Sequence, residues 1–268
     1  MTPTPPSPPG RRVHPALLGA GGLVVLIAIL ETLPRVGVVS ARHLPPTSAV
    51  AAAFVEEVRK RAFWVALGDT LTSWAIGLAI AVAAGVVLGF VIGGIGPLRE
   101  FTASTVEFLR PIPSVALIPL AVILFGTRIQ SALLLIVYAS FWQVLIQVLG
   151  GVREVDPVAD ETARSYGLGA WARFRHVLWP TALPYVMTGV RLAASVALVL
   201  AITAELIVGT DGLGKLIGTA QASQAVPAMY ALIAVTGVLG IVINVGVRAV
   251  ERRLLFWHQS VRGEVIPS

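Results

Sequence analysis

The feature that most constrains this 268-residue chain is a recurrence of apolar runs, each about 20 residues long. That is the length a helix needs to cross the hydrocarbon core of a bilayer. Runs of this kind are predicted at Ala16 to Leu33, Thr70 to Gly93, Thr102 to Phe125, Gln130 to Gly150, Tyr185 to Val208 and Met229 to Val250. In lipid every backbone polar group must find its partner inside the protein, so such runs become helices unless they close into a barrel. The expected fold class is therefore an all-α integral membrane protein with about six transmembrane helices. Composition agrees: 56% of residues are hydrophobic and only 13% charged, where soluble domains carry about 25%. Cysteine is absent, which excludes disulfides and cysteine-ligated metals. The net charge of +6 is scattered between apolar runs rather than gathered in a patch, and this favours membrane flanks over nucleic acid.

Four regions are expected. Residues 1–15, opening with MTPTPPSPPG, read as a disordered cytoplasmic tail too rich in proline and too poor in apolar surface to fold. Residues 16–67 read as a first transmembrane helix and an outer loop, with a surface helix from Ser48 to Trp64. The first run is too long for a cleavable signal core, and Val38-Val39-Ser40-Ala41 is a poor cleavage site. Residues 68–250 form the core of five further spans, including a polar loop at 153–184, and residues 251–268 form a cytoplasmic tail. Arg11 and Arg12 argue for a cytoplasmic N-terminus. Arg99, the Arg153–Arg175 segment and Arg252-Arg253 would then lie inside. The outer loop, with Arg35, Arg42, Arg59, Lys60 and Arg61, runs against that rule.

The third run is interrupted by Arg110, Pro111, Pro113 and Pro119, which a membrane tolerates only where protein or a wet cavity satisfies the freed backbone. On the second run, Gly85, Gly89 and Gly93 recur on one helix face, a spacing that allows close helix approach. Asp69-Thr70 is expected to cap the second span, and Arg191 to reach from the fifth span to the inner interface.

The segment Asp156 to Pro184 reads DPVADETARSYGLGAWARFRHVLWPTALP and is too polar for lipid. Asp156-Pro157 is a helix start and Gly167 a left-handed stop. Val158, Thr162 and Tyr166 share a face, and Asp160 and Arg164 form an acid-first pair at i,i+4. A second short helix carries an apolar stripe of Trp171, Phe174, Val177 and Leu178, with Pro180 and Pro184 ending it before the fifth span. Helices lying on a membrane enrich basic residues, whereas the first of these is acidic at its start, so docking to a protein is favoured.

This segment resembles the signature loop of ABC-importer permeases: Glu-Ala-Ala, three residues, Gly, nine residues, then Ile-x-Leu-Pro. The chain has Glu161-Thr162-Ala163, then Gly167, then Val177-Leu178-Trp179-Pro180, departing at Thr162, Val177 and Trp179. Further stretches are similar to the nitrate, sulfonate and taurine branch. They include Phe108-Leu109-Arg110-Pro111-Ile112-Pro113, Ala204-Glu205-Leu206, Gly212-Leu213-Gly214 and the closing Glu251-Arg252-Arg253-Leu254 with Trp257-His258.

The resemblance implies a type I importer permease acting as a homodimer in the bacterial inner membrane. Two cytoplasmic ABC ATPase subunits would drive it, and a periplasmic or lipid-anchored binding protein would deliver the solute. Glu161, Thr162, Ala163, Gly167, Val177 and Pro180 would form the ATPase-coupling loop. ATP and magnesium would be held by the partner, and no cofactor by this chain. Sulfonates such as taurine lead as cargo; nitrate, bicarbonate and thiamine precursors remain alternatives.

No enzyme motif is found. Gly209-Thr210-Asp211-Gly212-Leu213-Gly214-Lys215 approaches a P-loop, but Leu216 stands where a magnesium-binding hydroxyl is needed and a membrane helix precedes it. Metal-ligand spacing and catalytic constellations are likewise missing, so catalytic and metal residues are expected to be none. Glu107 and Arg110, three apart, form either a local ion pair or part of the translocation path, because charges at membrane depth mark one or the other. Glu205 could contact another helix or the vestibule. An ion-driven secondary transporter is the rival reading; it would favour inverted repeats and several midplane carboxylates, which the chain lacks.

Overall fold

A computed structural model describes residues 15–256, except for the side chains of residues 15–18, 20 and 23. Residues 1–14 of the expected N-terminal tail and 257–268 of the expected C-terminal tail lie outside the described residues, whereas Pro15 opens a helix and residues 251–254 continue the last span as helix. Within them the chain is helical: α1 Pro15–Arg35, α2 Thr47–Arg59, α3 Arg61–Gly94, α4 Gly96–Leu109, α5 Ile118–Phe125 and α6 Ile129–Arg153. Then follow α7 Pro157–Ser165, α8 Ala170–Arg173, α9 Trp179–Ile207, α10 Leu213–Ala222 and α11 Val226–Leu254.

Four helical stretches among the described residues are long and apolar enough to cross a membrane: α3, α6, Ala170–Ile207 and α11. A fifth crossing is the α4–α5 pair, bent by 81°. The first predicted run is covered by α1, a 21-residue helix.

Helix directions settle how the bent pair behaves. Gly77 meets Ile136, Gly85 meets Val144, Gly89 meets Val148 and Gly93 meets Val152, so α3 and α6 run parallel in constant register. Two parallel spans need one crossing between them, which makes the bent pair that crossing. Against α9, by contrast, α6 is antiparallel: Gly151 faces Ala182 and Tyr185, Gly189 faces Gln147, and Ser140 donates to the Ala193 carbonyl. In the same sense α11 is antiparallel to α9, as Gly240 meets Leu198 and Arg191 lies 3.5 Å from Glu251. The ends of α3, α6 and α11 and the start of α9 thus gather at one end of the bundle with the 153–184 loop.

The interrupted run breaks where its prolines predicted. A carbonyl freed at the end of α4 is taken up by α6: Tyr138 donates its hydroxyl to the Leu109 oxygen at 2.7 Å. Ser131 similarly donates to the oxygens of Ala121 and Gly126, at 3.1 and 2.6 Å, closing the end of α5. Irregular backbone at this depth survives because a neighbouring span supplies the partners.

Three expectations need correction. The second span begins at Arg61, not at Thr70, because the surface helix α2 gives way to α3 after a single extended residue, Lys60. Asp69 and Thr70 are therefore interior to α3 and cap nothing there. Pro180 and Pro184 do not end the second loop helix either. A π-helical turn, Phe174–Leu178, joins α8 to α9 with helical backbone throughout; Pro180 follows it in the first turn of α9, and Pro184 lies inside α9.

Candidate functional site

The polar loop forms its first helix as the residues dictate. Asp156 caps α7 by accepting the Val158 amide at 2.9 Å, and Pro157 fills the first helical position. At the other end Gly167 adopts φ +76°, Leu168 N–H donates to the Ala163 oxygen at 3.0 Å and Gly167 N–H to the Arg164 oxygen at 2.8 Å. This is a Schellman stop, and it turns the chain towards α8. Ala163 faces inward and is buried, while Glu161 and Thr162 are exposed. Val177 and Pro180 are half-buried against the bundle.

An ion-pair relay fixes the two loop helices together. Asp160 pairs with Arg164 at 2.7 Å, as the spacing predicted, and also with Arg173 at 2.9 Å. The second contact was not legible, since Arg173 lies thirteen residues on. Partial desolvation pushes the Asp160 carboxyl up, but its hydrogen bonds and charge pairs with Arg164 and Arg173 outweigh this and hold it below its ordinary value. Trp171 stacks on Phe174, which meets Phe90 of α3 edge-on, so the loop is also braced on the bundle. Val158, Tyr166 and Trp171 are left 67, 82 and 72% exposed on the loop. Aromatic side chains uncovered beside solvated charges are the composition of a docking face.

Glu107 and Arg110 line one cavity of about 710 Å³ between α4, α6 and the end of α3, with Arg99 and Arg153. Glu107 and Arg110 form no ion pair with each other among the described residues, so the local-pair reading is not realised. Three guanidiniums and one carboxylate give the cavity a net positive lining.

Glu205 lies elsewhere, fully buried at the far end of α9. One carboxylate oxygen accepts the Thr70 hydroxyl and the Gly214 amide, both at 2.9 Å, while Thr70 in turn accepts the Leu213 amide at 2.9 Å. The other oxygen, Oε1, has no partner among the described residues. The glycines that mimic a P-loop are thus occupied by the chain's own carboxylate: the N-terminus of α10 is capped from α9. Gly212, at φ +149°, and Gly214 are required because a side chain at either would run into Glu205 or the α9 backbone. Among the described residues no group of carboxylates and histidines could hold a metal ion.

The sequence matches the family described as binding-protein-dependent transport system inner membrane component over residues 81–256. It is 32% identical over 250 residues to the taurine transport system permease protein TauC of Escherichia coli (strain K12), covering 91% of each chain. It is 26% identical to the nitrate import permease protein NrtB of Synechocystis sp., over 65% of this chain and 64% of that one. In fold it is similar to a chain of the MetNI methionine ABC transporter, with TM-score 0.62, 18% identity and coverage of 72% of this chain and 95% of that one. A bacterial ABC transporter involved in the import of alginate gives TM-score 0.64 at 18% identity, covering 89% and 96%.

Proposed function

This chain belongs to the binding-protein-dependent inner membrane components, the permeases of ABC importers, and from that premise we propose that two copies form an import path for a small sulfonate. The observation that carries the coupling half of this reading is the 153–184 loop. It is a capped, ion-paired and aromatic-braced element that projects an exposed face from the end of the bundle where α3, α6 and α11 finish. On this reading that end is cytoplasmic and both termini lie there. Each of two ABC ATPase subunits holds one loop, with Glu161 and Thr162 making polar contacts at the helix surface. Ala163 packs the helix down, Gly167 turns it, and Val177 and Pro180 seat the following helix. The ATPase partner binds ATP and magnesium, and this chain hydrolyses nothing itself.

A rigid loop is what such a motor requires, because a pull on α7 is transmitted through Asp160–Arg173 and the unbroken α8–α9 path into a span. Arg110, with Arg99 and Arg153, supplies attraction for an anion in the cavity between α4 and α6, and Glu107 tempers it. A binding protein outside the membrane delivers the solute. The taurine permease relative favours sulfonates as cargo.

The test is reconstitution of the chain with its ATPase and binding protein in liposomes. ATP-dependent uptake of labelled sulfonate is expected, abolished when the ATPase is omitted. Uptake that proceeds without any ATPase would overturn the reading in favour of an ion-coupled carrier.

A further inference from the structure

At the end of the bundle opposite the coupling loop, three consecutive basic residues, Arg59, Lys60 and Arg61, join α2 to α3. On the orientation proposed above this is the outer membrane surface, where the usual bias disfavours lysine and arginine. Lys60 is accounted for by Glu57, 2.6 Å away. Arg59 and Arg61 are exposed without an ion pair among the described residues, and so is Glu56. Solvated arginines alone identify no partner; what surrounds them does.

The surroundings are apolar. Phe54, Val55, Trp64 and Val65 flank the basic triplet and are 44, 48, 56 and 54% exposed. The opposite side of α2 holds it to the bundle, where Val58 packs into the cluster of Phe63, Leu213, Ile217 and Leu232. Trp64 donates its indole N–H to the Val58 carbonyl at 2.8 Å, closing the α2–α3 joint. Its ring is left as an apolar plate whose polar edge is already satisfied.

This exposed face continues to membrane depth. Val65, Ile76, Ile80, Val87 and Val91 are uncovered along one side of α3, away from the glycines that meet α6. At 1.5 Å per residue they span about 39 Å, more than the ~30 Å hydrocarbon core. Arg61 lies on the same side one turn beyond Val65. Side chains lean towards a helix's N-terminus, so its guanidinium reaches out of the hydrocarbon into the headgroup layer.

We propose that the α2–α3 joint is an anchoring site for an anionic phospholipid of the leaflet opposite the coupling loop. Arg59 and Arg61, two residues apart, share its phosphodiester, and Phe54, Val55, Trp64 and Val65 hold the upper acyl chain. Charge complementarity selects the lipid class. The two arginines exceed Glu56 by one charge, so a net-negative headgroup is preferred over a zwitterionic one. The proposal concerns how the fold is seated in the membrane and does not depend on what is imported.

The chain has no cysteine, so Ala52→Cys places a single fluorophore on α2 before the permease is assembled with its ATPase. The complex is embedded in phosphatidylcholine nanodiscs containing a rising fraction of quencher lipid. The quencher is either phosphatidylglycerol or phosphatidylcholine with a nitroxide high on one acyl chain. Phosphatidylglycerol is expected to quench at about fivefold lower lipid fraction, the factor one basic residue carries at an anionic surface. Arg59→Gln combined with Arg61→Gln should make the two lipids equal, and Trp64→Ala should weaken quenching by both. Arg252→Gln, at the other end of the bundle, should change neither. Comparison of the two lipids with both arginines intact keeps the test valid if a variant fails to assemble. Equal quenching there, or a preference that survives the double variant, would overturn the proposal. So would no quenching by either lipid, or quenching abolished by added solute-binding protein, which would assign this face to a protein partner.

Discussion

Glu205 reaches from the last turn of α9 to accept the amide of Gly214 at 2.9 Å, so a buried carboxylate caps the helix that follows it. The same oxygen takes the Thr70 hydroxyl from α3, tying three helices at one point. A buried acceptor that serves two donors is worth more than the pair count suggests, because removing it strands both.

Replacement at this position should therefore separate shape from chemistry. Glu205→Gln keeps an oxygen for Thr70 and Gly214 and is expected to leave the thermal midpoint of the detergent-solubilised protein within a few degrees. Glu205→Leu strands both donors and should cost about 2–5 kcal/mol, read as a large fall in the midpoint or loss of expression. Equal behaviour of the two variants would show that the carboxylate is not a cap.

Gly89 lies where an added Cβ would meet the Val148 Cβ at 2.6 Å. Gly89→Ala is expected to push α3 from α6 and destabilise by about 1–3 kcal/mol. Combining it with Val148→Gly exchanges the small residue across the interface and should recover part of that loss. Thermal unfolding of the two single variants and the double variant checks it; simple additivity would show that the two sites do not touch.

Gly167 has open space where a side chain would sit, so its requirement is conformational, not steric. At φ +76° asparagine is tolerated and a β-branched residue is not. Gly167→Asn should retain most ATP-driven uptake, and Gly167→Val should lose most of it by unravelling the Schellman stop. Intact uptake by the valine variant would remove the loop from the coupling path.

Asp160 holds Arg164 and Arg173, and its carboxyl titrates below the ordinary value of 3.8. A depressed carboxyl contributes stability at pH values above 3.8 and loses it as the pH falls through the lower folded value. Asp160→Asn is thus expected to lower stability by about 1 kcal/mol or less at neutral pH, as partly exposed pairs do. The difference between variant and parent should stay constant down to about pH 4 and vanish in stronger acid. A difference that disappears already between pH 7 and 5 would mean another group carries the effect.

Arg110→Gln tests the cavity between α4 and α6. Sulfonate uptake is expected to fall about tenfold with the complex still assembled, since one of three cationic side chains is lost from the cavity. Unchanged uptake would place the path elsewhere.

Much of the loop was legible because its signals are local. Asp156, Pro157 and Gly167 act within one or two turns, and each performs in the structure the backbone role its chemistry implied. The break at Arg110 to Pro113 was equally visible, as proline removes a donor whatever surrounds it. Starts of helices were less legible: α3 begins at Arg61 because nothing between Arg61 and Thr70 opposes a helix, while the apolar run alone pointed nine residues later. The second proline pair was misjudged because a π-helical turn carries the chain into α9 without a stop, in a register that sets both Phe174 and Trp179 against Phe90.

By itself the sequence determined that this chain is a bundle of membrane helices with one polar, capped loop between spans, since apolar run length, caps and the glycine stop act over short distances in any fold. Only the tertiary structure decided that α3 and α6 run parallel, and hence that the broken helix pair is a true crossing. It alone brought Arg173 to Asp160 and turned Glu205 into a cap for α10. Those contacts join residues far apart in the chain. Nothing local specifies them; they arise when glycine faces let helices approach and buried polar groups must find partners across the gap.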